Sequence, residues 1–326
     1  MRMFTRFMLP ALLIFAVALV AFANGANANF KGVASLYGSG TTSYWKAIIW
    51  ATITTAAGSF AAIYFAQELL NKFTGKGLVP AVLVSEPRFL IAVAWGAGCA
   101  NILATRLGFP VSTTHCLTGS LLGAGLAAVG HAVNFAKLWE SFVKPLLFSP
   151  VIAVIVGAAL FLMLRLLRLA PDHRTKSLDV LHFLSAGAVS FARGLNDTPK
   201  IAALLLVSAS LKGSIGYVIV ALLIAAGGML GSRRVAETLA HKITDMNAGE
   251  GFSANLATAL LVTTASYHGL PVSTTHVSVG ALLGIGITTR QAKWKTVIPV
   301  LLTWLITLPC AALLGSVFYW IIAKLN

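Results

Sequence analysis

Residues 108–125 read GFPVSTTHCLTGSLLGAG, and residues 269–286 read GLPVSTTHVSVGALLGIG. Roughly two-thirds of these positions are identical, too many for chance between two small-residue segments, so the chain carries an internal duplication. The surrounding 326 residues are 58% hydrophobic and only 10% charged, against roughly 25% charged in a soluble globular domain. Charged surface this sparse does not keep 34.2 kDa of protein in water. The apolar residues fall in stretches long enough to span a hydrocarbon core. The expected fold is an all-α polytopic membrane protein with no soluble domain.

Hydropathy marks five elements before the polar stretch near residue 170, at about 7–24, 45–66, 88–105, 110–130 and 143–167. Five more follow at about 180–210, 214–231, 252–268, 271–288 and 297–322. This gives a first membrane repeat over 1–168, a short basic linker over 169–178 and a second repeat over 179–326. Five elements per half is an odd number, so the second copy starts on the opposite side of the membrane. The expected architecture is two inverted-topology repeats with discontinuous helices at the centre. Proline disfavours continuous helix, so Gly194-Leu195-Asn196-Asp197-Thr198-Pro199 is expected to break the 180–210 element. Arg234 to Met246 is amphipathic and is expected to lie at the membrane interface.

The net charge of +15 is read as a topology signal and not as a nucleic-acid footprint, because cytoplasmic loops accumulate Lys and Arg. With a cytoplasmic linker (Arg165, Arg168, Arg174, Lys176), inversion puts Arg233, Arg234, Arg290, Lys293 and Lys295 on the same side, and the other side of the second half receives little beyond Lys212. Both termini then face outward, an assignment that Arg2 and Arg6 oppose. The expected location is the cell membrane, with many passes. Phe7 to Phe22, followed by Ala21-Phe22-Ala23 as a small-residue cleavage signal, also fits a secretory leader. It is read here as a first membrane helix. Cys99, Cys116 and Cys310 have unrelated spacings inside apolar segments and suggest neither a disulfide framework nor a zinc site.

In each PVSTTH copy, proline pre-sets the first helical turn and Ser or Thr supplies the N-cap. Helix starts inside a bilayer leave backbone N–H groups without partners, and an oxyanion satisfies them. Two inverted copies aim Ser112, Thr113, Thr114, Ser273, Thr274 and Thr275 at one point, whereas a single copy is explained by capping alone. His115 and His276 fit packed histidines bonded to carbonyls as well as substrate contacts.

The second constellation pairs Gly25-Ala26-Asn27-Ala28 with Gly194-Leu195-Asn196-Asp197, and Lys31 matches Lys200 at the same offset. An intramembrane aspartate needs a cation, a proton or a donor, which makes Asp197 a candidate for coupling to Na+ or H+, together with Asn27 and Asn196. The competing reading is a salt bridge from Asp197 to Arg193 or Lys200. Glu237 and Lys242 are read as a solvated surface.

These motifs, with the run Arg233 to Thr244, resemble the inorganic phosphate transporter family, which contains phosphate symporters and sulfate permeases. The likeness covers nearly the whole chain. It implies a cation-coupled importer of inorganic phosphate or sulfate, often dimeric, with no resident cofactor and a central oxyanion site. The family's substrate-binding hydroxyls fall on Ser112, Thr113, Thr114, Ser273, Thr274 and Thr275, and its Asn-Asp motifs on Asn27 and on Asn196 with Asp197. Ala28 stands where the family pattern has aspartate. Either coupling runs through Asp197 alone, or Asn29 substitutes in part, or the stoichiometry is reduced. The linker is also too short for the regulatory loop of larger members.

Phosphate symport is the leading reading and the chain is not expected to be an enzyme. Sulfate is the nearest competitor, because hydroxyls and N–H groups serve either tetrahedral anion; HPO4 2− alone keeps a proton to donate. An intramembrane hydrolase using Ser112 with His115, or Ser273 with His276, is more remote, since nothing in the chain resembles a nucleophile elbow. A passive anion channel is the remaining class.

Overall fold

The structure, a computed structural model, describes residues 2–208, 211 and 213–324. Lys212 lies outside the described residues, as do the side chains of Arg2 and Arg6. Among the described residues there is no β-strand, and ten helices of 15 to 30 residues build the molecule. In the first half these are α1 (Arg2–Ala28), α2 (Tyr44–Phe65), α3 (Pro87–Arg106), α4 (Thr113–Val129) and α5 (Lys144–Leu166). In the second they are α6 (Lys176–Ala202), α7 (Ser214–Gly231), α8 (Ala248–Tyr267), α9 (Thr274–Thr288) and α10 (Trp294–Ala323).

Among the described residues, six segments are helical, long and apolar enough to cross a membrane, and they take in α1, α2, α3, α5, α7 and α10. The remaining four helices, α4, α6, α8 and α9, are rich in buried polar side chains, and α1, α2 and α3 add Asn24, Asn27, Thr55, Ser59, Asn101 and Thr105. Protein, and not lipid, surrounds these polar groups, which is the condition under which a membrane protein tolerates them. Apolar packing falls into two main clusters. Along α1 the chain passes from one cluster (Leu13 to Ala21) to the other (Phe30), and the asparagines 24 and 27 lie in between.

The packing repeats across the two halves. α1 packs on α7 as α6 packs on α2, α1 on α3 as α6 on α8, and α4 on α10 as α9 on α5. Lipid chains are as apolar as leucine, so small residues that let backbones approach are what hold such helices together. A Cβ on Gly25 would lie 2.0 Å from the carbonyl oxygen of Ile224, and one on Gly227 2.0 Å from that of Phe22. At the other crossing, a Cβ on Gly194 would lie 2.1 Å from the Thr55 carbonyl oxygen, and one on Gly58 1.9 Å from that of Phe191. Each opposing atom is backbone and cannot swing away. Gly194→Val is therefore expected to cost about 1–3 kcal/mol or more through overpacking. Thermal melting of the detergent-solubilised protein checks this, and an unchanged midpoint contradicts so close a crossing.

Two expectations are corrected. The element at 180–210 is not broken at residues 194–199: α6 runs unbroken from Lys176 to Ala202 with Pro199 inside it. Proline disturbs the hydrogen bond to the residue four before it, and Pro199 lies in the last turn, so the helix closes in a short 3-10 turn over Ala203–Leu205. The discontinuities lie elsewhere, in the buried non-helical stretches Pro110–Ser112 and Pro271–Ser273 that lead into α4 and α9. The amphipathic segment after Arg233 also differs from expectation. Val235, Ala236, Leu239 and Ile243 are fully buried in the protein core, while Arg233, Arg234, His241 and Lys242 are exposed. Its apolar face packs on protein and not on lipid.

The basic segments gather at one end. Arg174 in the linker donates to the carbonyls of Gly40 and Thr41, Tyr37 donates to Glu237, and Lys293 donates to the His241 carbonyl. Arg165 and Asp172 pair at 2.9 Å and share a cavity of about 450 Å3 with Asn247, Glu250 and Arg290. α9 ends beside this cluster, at Thr288. α4 instead ends at Val129, next to the turn in which Asn134 N–H donates to the Leu78 carbonyl.

Candidate functional site

The two non-helical stretches are held from inside the protein by a pair of asparagines. Asn27 donates from Nδ2 to Thr105 Oγ1 and to the Phe109 carbonyl, both at 2.9 Å, and its Oδ1 accepts the Val111 N–H at 3.0 Å. Its counterpart Asn196 donates to the Val272 carbonyl at 3.3 Å and to Thr274 Oγ1 at 3.1 Å, and accepts from Ser266 Oγ at 3.1 Å. Backbone that leaves helix inside a bilayer must find partners in the protein. Both asparagines supply them, and both are completely buried.

Each stretch ends in a capped helix. Ser112 Oγ accepts the backbone N–H of His115 and Ser273 Oγ that of His276, both at 3.2 Å. The capping role that a single motif suggests is therefore made, and twice. The motifs also meet. Thr114 Oγ1 donates to the Val272 carbonyl at 3.1 Å, and Thr275 Oγ1 donates to the Val111 carbonyl at 2.8 Å, so each half's threonine closes on the other half's backbone.

Two lysines reinforce this crossing with the same symmetry. Lys31 Nζ donates to the Val111 carbonyl at 2.8 Å and to Thr275 Oγ1 at 2.5 Å. Lys200 Nζ donates to the Val272 carbonyl at 2.9 Å and to Thr114 Oγ1 at 2.7 Å. Asp197 completes the cluster, accepting from Asn24 Nδ2 at 2.9 Å and from Asn196 Nδ2 at 3.3 Å. Its ion-pair partners are Lys200 at 3.4 Å and Arg193 at 3.8 Å. The salt bridge is thus present, and it joins Asp197 to both candidate cations. Arg193 also donates to Asn24 Oδ1 and Asn29 Oδ1, which ties the Asp197 carboxylate to the end of α1.

The six motif hydroxyls differ in how they are used. Thr114 and Thr275 spend their protons on carbonyls. Thr113 Oγ1 accepts from both Asn24 and Asn101, Thr274 Oγ1 accepts from Asn196, and Ser112 and Ser273 accept backbone N–H groups. Among the described residues, these four hydroxyls donate to no protein atom, so each has a proton to give to an acceptor. The buried charge around them is three cations, Lys31, Arg193 and Lys200, against the single carboxylate of Asp197. Free hydroxyl donors beside surplus positive charge are the groups that can satisfy the oxygens of an anion.

The histidines take the packed role. His115 Nδ1 donates to the Trp304 carbonyl at 3.1 Å and His276 Nδ1 to the Leu146 carbonyl at 3.3 Å. Their rings lie 4.5 Å apart, and His276 stacks on Trp304 at 3.9 Å. Neither ring bonds the serine of its own motif, so the Ser–His pairing that activates a hydrolytic nucleophile is not made. Among the described residues, no group of three or more His, Cys, Asp or Glu side chains is placed to hold a metal ion.

The structure thus brings all nine expected site residues into one connected region. It adds Asn24, Lys31, Asn101, Arg193 and Lys200, which motif reading left out of the site. Lys31 and Lys200 stand at the offset that relates Asn27 to Asn196, and that recurrence is the signal by which the two lysines are found; Asn24 and Arg193 share the offset without sharing a residue type, and Asn101 has no such counterpart.

Comparison with known proteins agrees on one family. Residues 24–315 match the model of the phosphate transporter family. A probable low-affinity inorganic phosphate transporter of Rhizobium meliloti (strain 1021) is 32% identical over 92% of this chain and 92% of its own. A protein of the same description from Bacillus subtilis (strain 168) is 27% identical over 96% and 97%. A solved structure described as the sodium-dependent phosphate transporter superposes with a TM-score of 0.86 at 21% identity, covering 98% of this chain and 100% of that one, and shows the same fold.

Proposed function

The chain belongs to the phosphate transporter family, and from that premise we propose that it imports inorganic phosphate by symport with a cation, Na+ or H+. The observation that carries this reading is the set of four buried hydroxyls, Ser112, Thr113, Ser273 and Thr274, with protons unspent on protein, beside a surplus of buried positive charge. Phosphate oxygens accept those protons, and a dianion offsets the charge. Sulfate meets the same donors, and the relatives named above favour phosphate. The relatives named above are described as transporters, and we assign the chain no enzymatic role.

Alternating exposure of such a site fits two inverted repeats. Supporting this, α4 and α9 start at the shared site and finish at different ends, α9 beside the linker and α4 beside residue 78. The positive-inside rule then assigns the linker end to the cytoplasm. Asn27, Asn196 and Asp197 are the residues we assign to cation coupling. The solved sodium-dependent relative supports Na+, and the nitrogen donors and cations around Asp197 favour a carboxylate that stays charged.

Replacing Ser112 and Ser273 together by alanine removes two of the proposed anion donors. A hydrogen bond to a charged group contributes about 1.5–3 kcal/mol, so the half-saturation concentration for phosphate is expected to rise by about tenfold or more. An unchanged half-saturation concentration in reconstituted vesicles contradicts the hydroxyl site.

A further inference from the structure

The two lysines at the site are alike in position and unlike in electrostatic company. Lys200 has Asp197 three residues before it, at 3.4 Å. Lys31 has Ala28 three residues before it, and Ala28 is buried. Among the described residues, no carboxylate pairs with Lys31; its hydrogen-bond partners are the neutral Val111 carbonyl and the Thr275 hydroxyl. It is nonetheless only 3% exposed. A buried ammonium with no carboxylate in ion-pair contact is costly: the charge of Asp197 reaches Lys31 only from beyond ion-pair distance and is shared with Arg193 and Lys200, and neutral acceptors offset only part of that cost. Both of its acceptors belong to the facing PVSTTH motifs, so this incompletely compensated charge lies where the proposed substrate binds.

We propose that Lys31 is the residue whose charge the transported oxyanion neutralises, which makes it the main charge determinant of anion affinity. The inference rests on the oxyanion-transport reading above and adds a residue to it. The missing carboxylate is its cause. An acid at position 28 would pair with Lys31 as Asp197 pairs with Lys200, and would compete with the anion. Alanine there leaves the ammonium to the substrate.

The test keeps Lys31 in place and changes only the charge beside it. Equilibrium binding of radiolabelled inorganic phosphate to the purified full-length protein is compared for the unsubstituted chain, Ala28→Asp and Ala28→Asn. The two substituents are nearly the same size, so their difference isolates charge from crowding. Ala28→Asp is expected to bind phosphate about tenfold or more weakly than Ala28→Asn. Equal affinity in the two variants overturns the proposal. Should either fail to fold by size-exclusion chromatography, Lys31→Gln and Lys31→Arg decide: loss of binding in the first with recovery in the second supports the charge role, and binding within twofold of the unsubstituted protein in Lys31→Gln overturns it. If the unsubstituted chain binds neither phosphate nor sulfate, the transport reading falls and this inference with it. Saturable binding that ignores the charge at positions 28 and 31 sinks the inference alone.

Discussion

Asp197→Asn is expected to abolish gradient-driven uptake and to lower the stability of the protein by about 3–5 kcal/mol, the range for leaving a buried ion pair half-made. Asp197 is the only acid among the buried charges of the site, and it faces Lys200 at 3.4 Å and Arg193 at 3.8 Å. Without it three buried cations stand together. Asparagine keeps the shape and one acceptor oxygen, so the bonds from Asn24 and Asn196 survive in part while the charge is lost. Thermal melting and vesicle uptake, measured on the same preparation, separate the two effects. The double variant Asp197→Asn with Lys200→Met removes one of the stranded cations and is expected to recover stability without recovering uptake. If Asp197→Asn kept its full response to an imposed cation gradient, Asp197 would have no part in coupling.

The second large effect is expected at the crossing of the two halves. Thr114→Val with Thr275→Val keeps side-chain volume and removes both hydroxyls that bridge the motifs. Each substitution leaves a carbonyl with one partner fewer and a lysine ammonium with one acceptor fewer. At about 1–3 kcal/mol for each buried polar group so stranded, the double variant is expected to lose most of its phosphate affinity and to melt at lower temperature. Each single variant is expected to weaken binding, Thr275→Val the more, because its lysine, Lys31, has no carboxylate in ion-pair contact. Phosphate binding measured on all three checks this, and a silent variant in either half would contradict a role for that half's bridge.

Much of this arrangement was legible in the letters. Because helices that meet lipid carry a strong apolar signal, the PVSTTH pair, read with hydropathy, located the long helices within about five residues of their bounds, except the 180–210 element, whose helix ends at Ala202. Interior helices carry a weaker one: α6 holds Arg193, Asp197 and Lys200 and is not apolar enough over its length to count as a span. Pro199 misled because position within a helix decides what proline does, and the end of α6 is not marked by hydropathy. The amphipathic run after Arg233 looked like an interfacial helix because periodicity reports an apolar face without saying what covers it. Within the site, motif reading found the hydroxyls and the Asn-Asp elements. It left out Lys200 and Arg193, since a charge near an aspartate reads first as its salt-bridge partner, and Lys31, since it was read only as the counterpart of Lys200. What they do became visible only with the cross-half bonds, which depend on how α1 and α6 lie against α4 and α9.

Uptake of radiolabelled phosphate into vesicles containing the purified protein, under separately imposed Na+ and H+ gradients and with sulfate as competitor, tests the central claim most directly. Saturable accumulation of phosphate above its equilibrium level under one of the two gradients, inhibited less by sulfate than by unlabelled phosphate, is the predicted result. No saturable phosphate accumulation under either gradient would contradict it.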